Sequence, residues 1–198
     1  MPNRTPIRLI AGLGNPGPQY TDTRHNAGAW YLHQLAQQHN TVLQLDKRFF
    51  GDLARIKAQG EDVWLLFPNT FMNRSGQAIA ALAKFFKIKP EEILVAHDEL
   101  DLPPGQLKIK HGGGHAGHNG LRDTISHLGS NEFWRARIGI GHPRTLNLQQ
   151  NVADFVLHRP NPEQQLAIDR SIHLLLQYSK LILEGDMAQA TSRIHTEC

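Results

Sequence analysis

The chain has 198 residues, of which 40% are hydrophobic and 20% charged, and this suits one compact domain with a buried core. A single cysteine, Cys198, excludes a disulfide-stapled scaffold, and the sequence has no apolar run of about 18 residues, as a membrane helix requires. The formal net charge of +3 is too small an excess to indicate a nucleic-acid partner by itself.

Strand-like and helical patterns alternate along the chain. In chain order the predicted elements are a strand over 7–13, a helix capped by Thr23, strands over 53–57 and 63–67, a helix over 79–86, strands over 93–96 and 107–110, a helix over 121–128, a strand over 136–140 and a helix over 161–184. Gly60 predicts an antiparallel hairpin between the second and third strands, and Gly129 ends the third helix. Asn161 and Pro162 begin the last helix, and Gly185 ends it.

The order of these elements predicts the fold class. Strands interleaved with helices indicate an α/β fold, with a twisted, mixed and largely parallel sheet flanked by helices. The sequence contains no repeat and no linker, so we expect one domain over 1–198. The N-terminal segment has only a brief apolar run, interrupted by glycine and proline, so we expect no signal peptide and a cytoplasmic protein.

Charge is distributed unevenly. Residues 91–101 hold five acids and no base, whereas residues 103–144 hold two acids against six basic residues, namely Lys108, Lys110, Arg122, Arg135, Arg137 and Arg144. Charge alone leaves two interpretations of the basic stretch, a solvated face and an anion-binding surface.

A glycine-rich loop follows the first strand. Gly12 to Gly17 match the dinucleotide pattern G-x-G-x-x-G, but prolines delay the next helix, and residues 23–45 contain no acid for a ribose. Two other interpretations are a tight turn capped by Asn15, and glycines that bring the backbone close to a substrate while Asn15 presents its amide at the sheet edge.

Five segments in this order resemble bacterial peptidyl-tRNA hydrolase: GLGNPGPQYTDTRHNAG (12–28), FMNRSG (71–76), HDELDLPPG (97–105), GGGHAGHNGLRD (112–123) and RARIGIGHP (135–143). The resemblance covers essentially the whole chain. It implies a single-domain, cytoplasmic, monomeric enzyme that hydrolyses the ester between a peptide and the 3′ ribose of tRNA. It also implies no metal or other cofactor, no membrane and no obligate protein partner.

The resemblance assigns roles residue by residue. The expected catalytic residues are His25, Asp98, Asn15 and Asn119. The expected substrate-binding residues are Tyr20, Phe71, Met72, Asn73, His118 and, again, Asn119, with Phe71 and Met72 as an apolar wall. Lys108, Lys110 and Arg137 are expected to hold tRNA phosphate. The match weakens after Pro143, where Arg144 is the only charged residue before Asp154.

The chemistry of these residues fits ester hydrolysis. A neutral imidazole at cellular pH is suited to activate water, and a carboxylate on its second nitrogen orients it. If Thr23 caps the helix, the helix dipole disfavours protonation of His25 while Asp98 favours it, which leaves the sign of the pKa shift open. The backbone N–H groups and the amide at Asn119, at the start of a helix, are expected to hold an oxyanion or water.

Other chemistries are less well supported. Ser75 lacks the G-x-S-x-G context of a nucleophile, which favours direct attack by water. His111, His115 and His118 are separated by flexible glycines, which do not hold metal ligands on one face. Two alternatives to the esterase remain open, a hydrolase of small esters or amides and a catalytically silent RNA-binding module.

Overall fold

Seven strands form one sheet in the order β2-β3-β4-β1-β5-β7-β6 in a computed structural model that describes residues 4–198. The strands are β1 (Leu9–Gly12), β2 (Gln44–Asp46), β3 (Gly51–Ala58), β4 (Glu61–Pro68), β5 (Ile93–Glu99), β6 (Leu107–His111) and β7 (Trp134–Gly139). The helices are α1 (Ala27–Gln38), α2 (Ser75–Phe85), α3 (Asn119–Leu128), α4 (Val152–Val156), α5 (Pro162–Gln177), α6 (Ser179–Leu183) and α7 (Met187–Glu197).

The sheet is mixed, as expected. Its central pairings, β4 with β1, β1 with β5 and β5 with β7, are parallel, and the outer pairings are antiparallel. The predicted hairpin joins β3 to β4 through Gln59 and Gly60. Both residues have positive φ, which a two-residue turn needs if it is to match the twist of the strands. The carboxyl ends of the central strands therefore lie at one edge, where open α/β sheets place their sites.

Helices cover both faces of the sheet. Helices α1 and α5 to α7 bury residues such as Tyr31 and Ile172 against one face, and α2 and α3 bury Ile79 and Leu121 against the other. The single α/β domain expected from the sequence is confirmed. Within the described part of the chain, no helix is both long and apolar enough to cross a bilayer.

Two glycines let α1 pack closely on the sheet. A Cβ on Gly28 would lie 2.1 Å from the carbonyl oxygen of Ala96 in β5, and a Cβ on Gly12 would lie 2.5 Å from the carbonyl oxygen of Gly28. Because neither position has room for a side chain, the start of α1 lies directly over the ends of β1 and β5. This close packing brings the segment before α1 to the end of β5.

Some local predictions need correction. The side chain of Thr23 does not cap a helix, because its hydroxyl donates to the carbonyl of Tyr20, and a 3-10 turn, Arg24–Asn26, precedes α1. The last predicted helix is interrupted at Tyr178 and forms α5 and α6. Strand β2 and helices α4 and α7 are additional elements. Asn161 caps α5, and Gly129 ends α3, as predicted.

Candidate active site

His25 and Asp98 meet at the carboxyl edge of the sheet. His25 lies in the turn before α1, Asp98 lies near the end of β5, and Nδ1 of His25 is 2.8 Å from Oδ2 of Asp98. The side chain of Asp98 is 1% exposed, whereas that of His25 keeps 11% of its surface in contact with solvent. The hydrogen bond expected from the sequence is therefore present, and it joins a buried carboxylate to an accessible imidazole.

His118 binds the second oxygen of the same carboxylate. Its Nδ1 accepts hydrogen bonds from the backbone N–H groups of Gly120 and Leu121, so Nδ1 carries a lone pair and Nε2 carries the proton. That Nε2–H donates to Oδ1 of Asp98 over 2.9 Å. His118 thus caps α3 through one nitrogen and holds the carboxylate through the other.

These contacts fix the tautomer of His25. The Asp98 carboxylate accepts on both oxygens, so Nδ1 of His25 is its donor and Nε2 is left with the lone pair. Burial lowers the pKa of His25, but the charge and hydrogen bond of Asp98 raise it more, and the net shift is upward. Burial raises the pKa of Asp98, but the two histidines lower it well below its usual range.

A third histidine, His97, is buried next to Asp98 and His118. It is 1% exposed, its Nδ1 donates to the backbone carbonyl of Asp98, and its ring centroid lies 5.2 Å from that of His118 in an edge-on arrangement. Burial lowers the pKa of His97 to about 3, so the ring is neutral. His97 is not among the site residues expected from the sequence.

Asn15 is held rigidly at the end of β1. Its Oδ1 accepts a 2.7 Å hydrogen bond from the backbone N–H of Met72, and its own backbone N–H and carbonyl bond the amide of Asn26. A Cβ on Gly14 would lie 2.8 Å from the Asn26 side chain. Gly12 and Gly14 therefore allow the close packing of the α1 segment, and the approach of the loop to a substrate stays one of the two interpretations left open by the sequence.

Tyr20 and Phe71 form an aromatic pair with ring centroids 6.3 Å apart, and Phe71 directly precedes Met72, whose backbone N–H bonds to Asn15. Phe71 is 59% exposed, but Met72 is only 4% exposed and packs in the core. Of the expected apolar wall, Phe71 alone therefore presents a large surface to solvent. Asn73 is exposed in the 3-10 turn that precedes α2.

Asn119 is the first residue of α3 and is exposed. The expectation of free backbone donors at this helix start is wrong for Gly120 and Leu121, because both N–H groups bond to His118. The side-chain amide of Asn119 remains available at the site.

A cleft of about 670 Å³ extends from His25 to a basic end. Its lining includes His25, Asp98, His118, Asn119, Lys110 and Arg137, and it leaves out Asn15, Tyr20, Phe71, Met72, Asn73 and Lys108. Lys108 lies opposite Arg137, and Lys110 lies opposite Arg135, in the pairing of β6 with β7. The three expected phosphate ligands are therefore neighbours, as predicted from the alternation along the strands.

Comparisons with known proteins identify the family. The family model described as Peptidyl-tRNA hydrolase matches residues 9–198. A peptidyl-tRNA hydrolase of Bordetella petrii is 58% identical over 192 residues, which cover 97% of this chain and 91% of that protein. One from Aeromonas hydrophila is 54% identical over 191 residues, with 96% and 95% covered. The chain belongs to the peptidyl-tRNA hydrolase family.

The solved structures agree. A crystal structure of peptidyl-tRNA hydrolase from Acinetobacter baumannii has a TM-score of 0.91 and 45% identity to this chain, and the match covers 98% of this chain and 97% of the other. The activity is that of a peptidyl-tRNA hydrolase, EC 3.1.1.29, which hydrolyses the ester bond between peptide and tRNA.

Two buried arginines support the site of this family member, and their structural roles were not predicted from the sequence. Arg24, 5% exposed, donates to the carbonyls of Phe155 and His158 and lies 3.9 Å from the centre of the Phe155 ring. Arg135, 3% exposed, donates to the carbonyls of Gly113 and Gly114 and fastens the glycine-rich loop before His118. Neither partnership has a local signal in the sequence, since it joins distant segments.

The chemistry of the donor set does not favour a metal. Within residues 4–198, His25, Asp98 and His118 form the one group of three side chains with possible ligand atoms inside 4.8 Å of one another. Both imidazole nitrogens that face Asp98 carry protons, because the carboxylate accepts from each of them. A metal would have to displace both hydrogen bonds and uncap α3, as its ligands must be deprotonated.

Proposed function

We propose that His25 is the general base of the reaction and that it activates a water molecule for direct attack on the ester. The observation that carries this proposal is the arrangement of one imidazole: Nδ1 is anchored on buried Asp98, and Nε2 retains a lone pair beside the cleft. Geometry of this kind keeps the base in one tautomer and stabilises the imidazolium that forms.

His25 alone can carry out both proton transfers of the reaction. Nε2 of His25 takes a proton from water as the oxygen bonds to the ester carbonyl carbon, and a tetrahedral oxyanion forms. When the bond to the ribose oxygen breaks, the imidazolium returns the proton to that leaving oxygen. The amide of Asn119 lines the cleft, and the amide nitrogen of Asn15 is left to donate because its oxygen accepts from Met72; both are proposed to bind the substrate carbonyl groups.

The two ends of the substrate are assigned to different sides of His25. Tyr20, Phe71 and Asn73 are proposed to contact the peptide, next to Asn15. Lys110 and Arg137, with neighbouring Lys108, are proposed to bind a terminal phosphate of the tRNA acceptor end, because a compact cationic cluster suits one phosphate rather than a long duplex. His118 is proposed to act through Asp98 and α3 and to adjoin the bound ester.

The enzyme is proposed to act without a metal, as a monomer, in the cytoplasm. The protonated nitrogens that face Asp98 support the first point. Full activity after chelation and dialysis is the expected result, and a loss restored by one metal ion would contradict it. Sedimentation at working concentration is expected to give the 22.3 kDa monomer mass.

The test of the base is cleavage of N-acetylated aminoacyl-tRNA by wild type and by His25→Ala. We expect kcat to fall by about 10²- to 10⁴-fold, the usual contribution of a positioned base, with no loss of folding. His173→Ala, at an exposed position of α5, is the matched control and is expected to match wild type. Unchanged turnover by His25→Ala would overturn the assignment.

The substrate class is tested by comparing the rates at which the enzyme cleaves different substrates. Free aminoacyl-tRNA is expected to be cleaved much more slowly than the N-acetylated form. Rapid turnover of small esters or amides without RNA would instead support the small-molecule hydrolase, and binding of tRNA without cleavage would support the silent RNA-binding module.

The RNA side is tested by Lys110→Ala and Arg137→Ala. Each is expected to raise KM for N-acetylated aminoacyl-tRNA by about 10-fold, in line with the loss of one charge-assisted hydrogen bond. A short aminoacylated 3′ fragment should respond far less. Lys180→Ala, which removes an exposed side chain of α6, controls for loss of one positive charge. Equal effects on the whole tRNA and on the fragment would contradict the phosphate assignment.

A further inference from the structure

An acid lies within the basic end of the cleft. Glu99, the last residue of β5, accepts a 2.7 Å hydrogen bond on Oε1 from Nε of Arg137. A carboxylate beside a phosphate site opposes the anion by its charge. If Glu99 favours phosphate binding, it must therefore do so through the position of its side chain and not through its charge.

The carboxylate of Glu99 is fixed from two directions. Its Oε2 accepts from the backbone N–H of Asp101 over 3.3 Å, in the turn that follows β5. The pairing of β5 with β7 places His97 opposite Arg137, so that Glu99, two residues along, projects from the same face of the sheet. The side chains of Glu99 and Arg137 are 12% and 22% exposed.

The contact uses only one corner of the guanidinium. Within residues 4–198, the side chain of Arg137 hydrogen-bonds to Glu99 alone, and it does so through Nε. A guanidinium has five N–H donors, and its bidentate edges bind planar anions in a fixed geometry. With Nε occupied, the edge formed by the two Nη atoms remains for a ligand in the cleft.

We propose that Glu99 is a positioning residue that holds Arg137 by Nε and presents the Nη edge to the terminal phosphate of the tRNA acceptor end. This inference rests on the proposed phosphate role of Arg137. Glu99 pre-orders a long side chain before the substrate arrives, and the entropy saved on binding exceeds the repulsion between its charge and the phosphate.

Two substitutions at one position separate geometry from charge. Glu99→Gln removes the charge but keeps an amide oxygen that accepts from Nε, whereas Glu99→Ala removes both. On N-acetylated aminoacyl minihelices with a 5′-phosphate, we expect Glu99→Ala to raise KM about fivefold, the cost of ordering one long side chain. Glu99→Gln should stay within about twofold of wild type, and kcat should be unchanged in both.

The second measurement uses the same minihelix with a 5′-hydroxyl in place of the phosphate. On this substrate we expect the same KM for wild type, Glu99→Ala and Glu99→Gln. Asp101→Ala removes an exposed acid close by in the chain and is expected to lower KM slightly, since it takes away negative charge alone.

Three results would overturn the inference in distinguishable ways. If Glu99→Ala and Glu99→Gln both lower KM, Glu99 acts only as a repelling charge. If Glu99→Ala raises KM equally for the phosphorylated and unphosphorylated minihelix while wild type distinguishes the two, its effect is a general loss of structure. If wild type itself does not distinguish them, the phosphate role of Arg137 fails, and the inference fails with it.

Discussion

Nδ1 of His25 lies 2.8 Å from Oδ2 of Asp98, although the two residues are 73 positions apart in the chain. The contact depends on the close packing of α1 on β5, and it sets both the tautomer and the basicity of the imidazole. Because the pKa of His25 is raised above that of a free histidine, the base is protonated and inactive over a wider acidic range.

Asp98→Asn is expected to separate these two effects. The maximal kcat should fall by about 10²- to 10⁴-fold, because an amide neither fixes the tautomer nor stabilises the imidazolium. The acid limb of the profile should also move downward in pH, since burial continues to lower the pKa of His25 while the charge that raised it is gone. The pH dependence of kcat/KM measures both effects.

The control for this prediction is Asp123→Asn, which changes a carboxylate outside the cleft, on α3. Its pH profile should overlay that of wild type. If Asp98→Asn kept the wild-type acid limb, the titrating group would be some other residue.

His118→Ala is expected to move the acid limb in the opposite direction. Removing the second donor to Asp98 leaves the carboxylate a better acceptor for His25, so the pKa of His25 rises further. The same change removes the acceptor for two N–H groups at the start of α3 and should lower the free energy of unfolding by about 1 kcal/mol.

His118→Asn distinguishes the two roles of His118. Asparagine is a favoured N-cap residue, so urea unfolding should recover most of the lost stability, while the shift of the pH profile should remain. A variant that restored the wild-type pH profile together with stability would show that α3, rather than the contact with Asp98, controls the base.

Part of this site was predictable because its signals are local. Asn161 caps α5 and Gly60 turns the hairpin, and in each case the residue type satisfies a backbone requirement within a few positions. The pairing of His25 with Asp98 came from the resemblance, since no periodicity joins a turn to a strand 73 residues away. Strand β2 was missed because its three residues have no buried face in the sequence pattern.

The residues that sequence reasoning missed act through long-range contacts. Arg24 reaches a carbonyl 131 residues away, and a basic residue beside a histidine gives no sign that it is buried. The burial of His97 could have been predicted, because alternation along β5 places its side chain on the face of the sheet opposite that of Asp98, and helices cover both faces. Its contact with the His118 ring, however, joins β5 to a separate segment of the chain, and the sequence pattern gives no signal for that contact.

Gly28→Ala is expected to cost stability and activity together. The added methyl would lie 2.1 Å from the Ala96 carbonyl oxygen, so α1 must move away from β5, at a cost of about 1–3 kcal/mol or more. That movement separates His25 from Asp98 and lowers kcat. Gly114→Ala is the matched control in stability, because a Cβ there meets nothing within 4 Å. Equal melting temperatures for the two variants would contradict the packing argument.

His97 is expected to make the protein sensitive to acid. Its pKa is about 3 in the fold, where burial opposes protonation, against about 6.5 in an unfolded chain. The unfolded state therefore binds the extra proton below about pH 6, and stability falls with decreasing pH by up to about 1.4 kcal/mol per pH unit from this residue. In His97→Leu, the free energy of unfolding in urea should fall less steeply between pH 6 and 4 than in wild type, even if the variant is less stable at pH 7.

The control is His173→Leu, at an exposed position, in which the free energy of unfolding should fall with pH as steeply as in wild type. If it fell as steeply in His97→Leu too, His97 would be excluded as the group that takes up the proton.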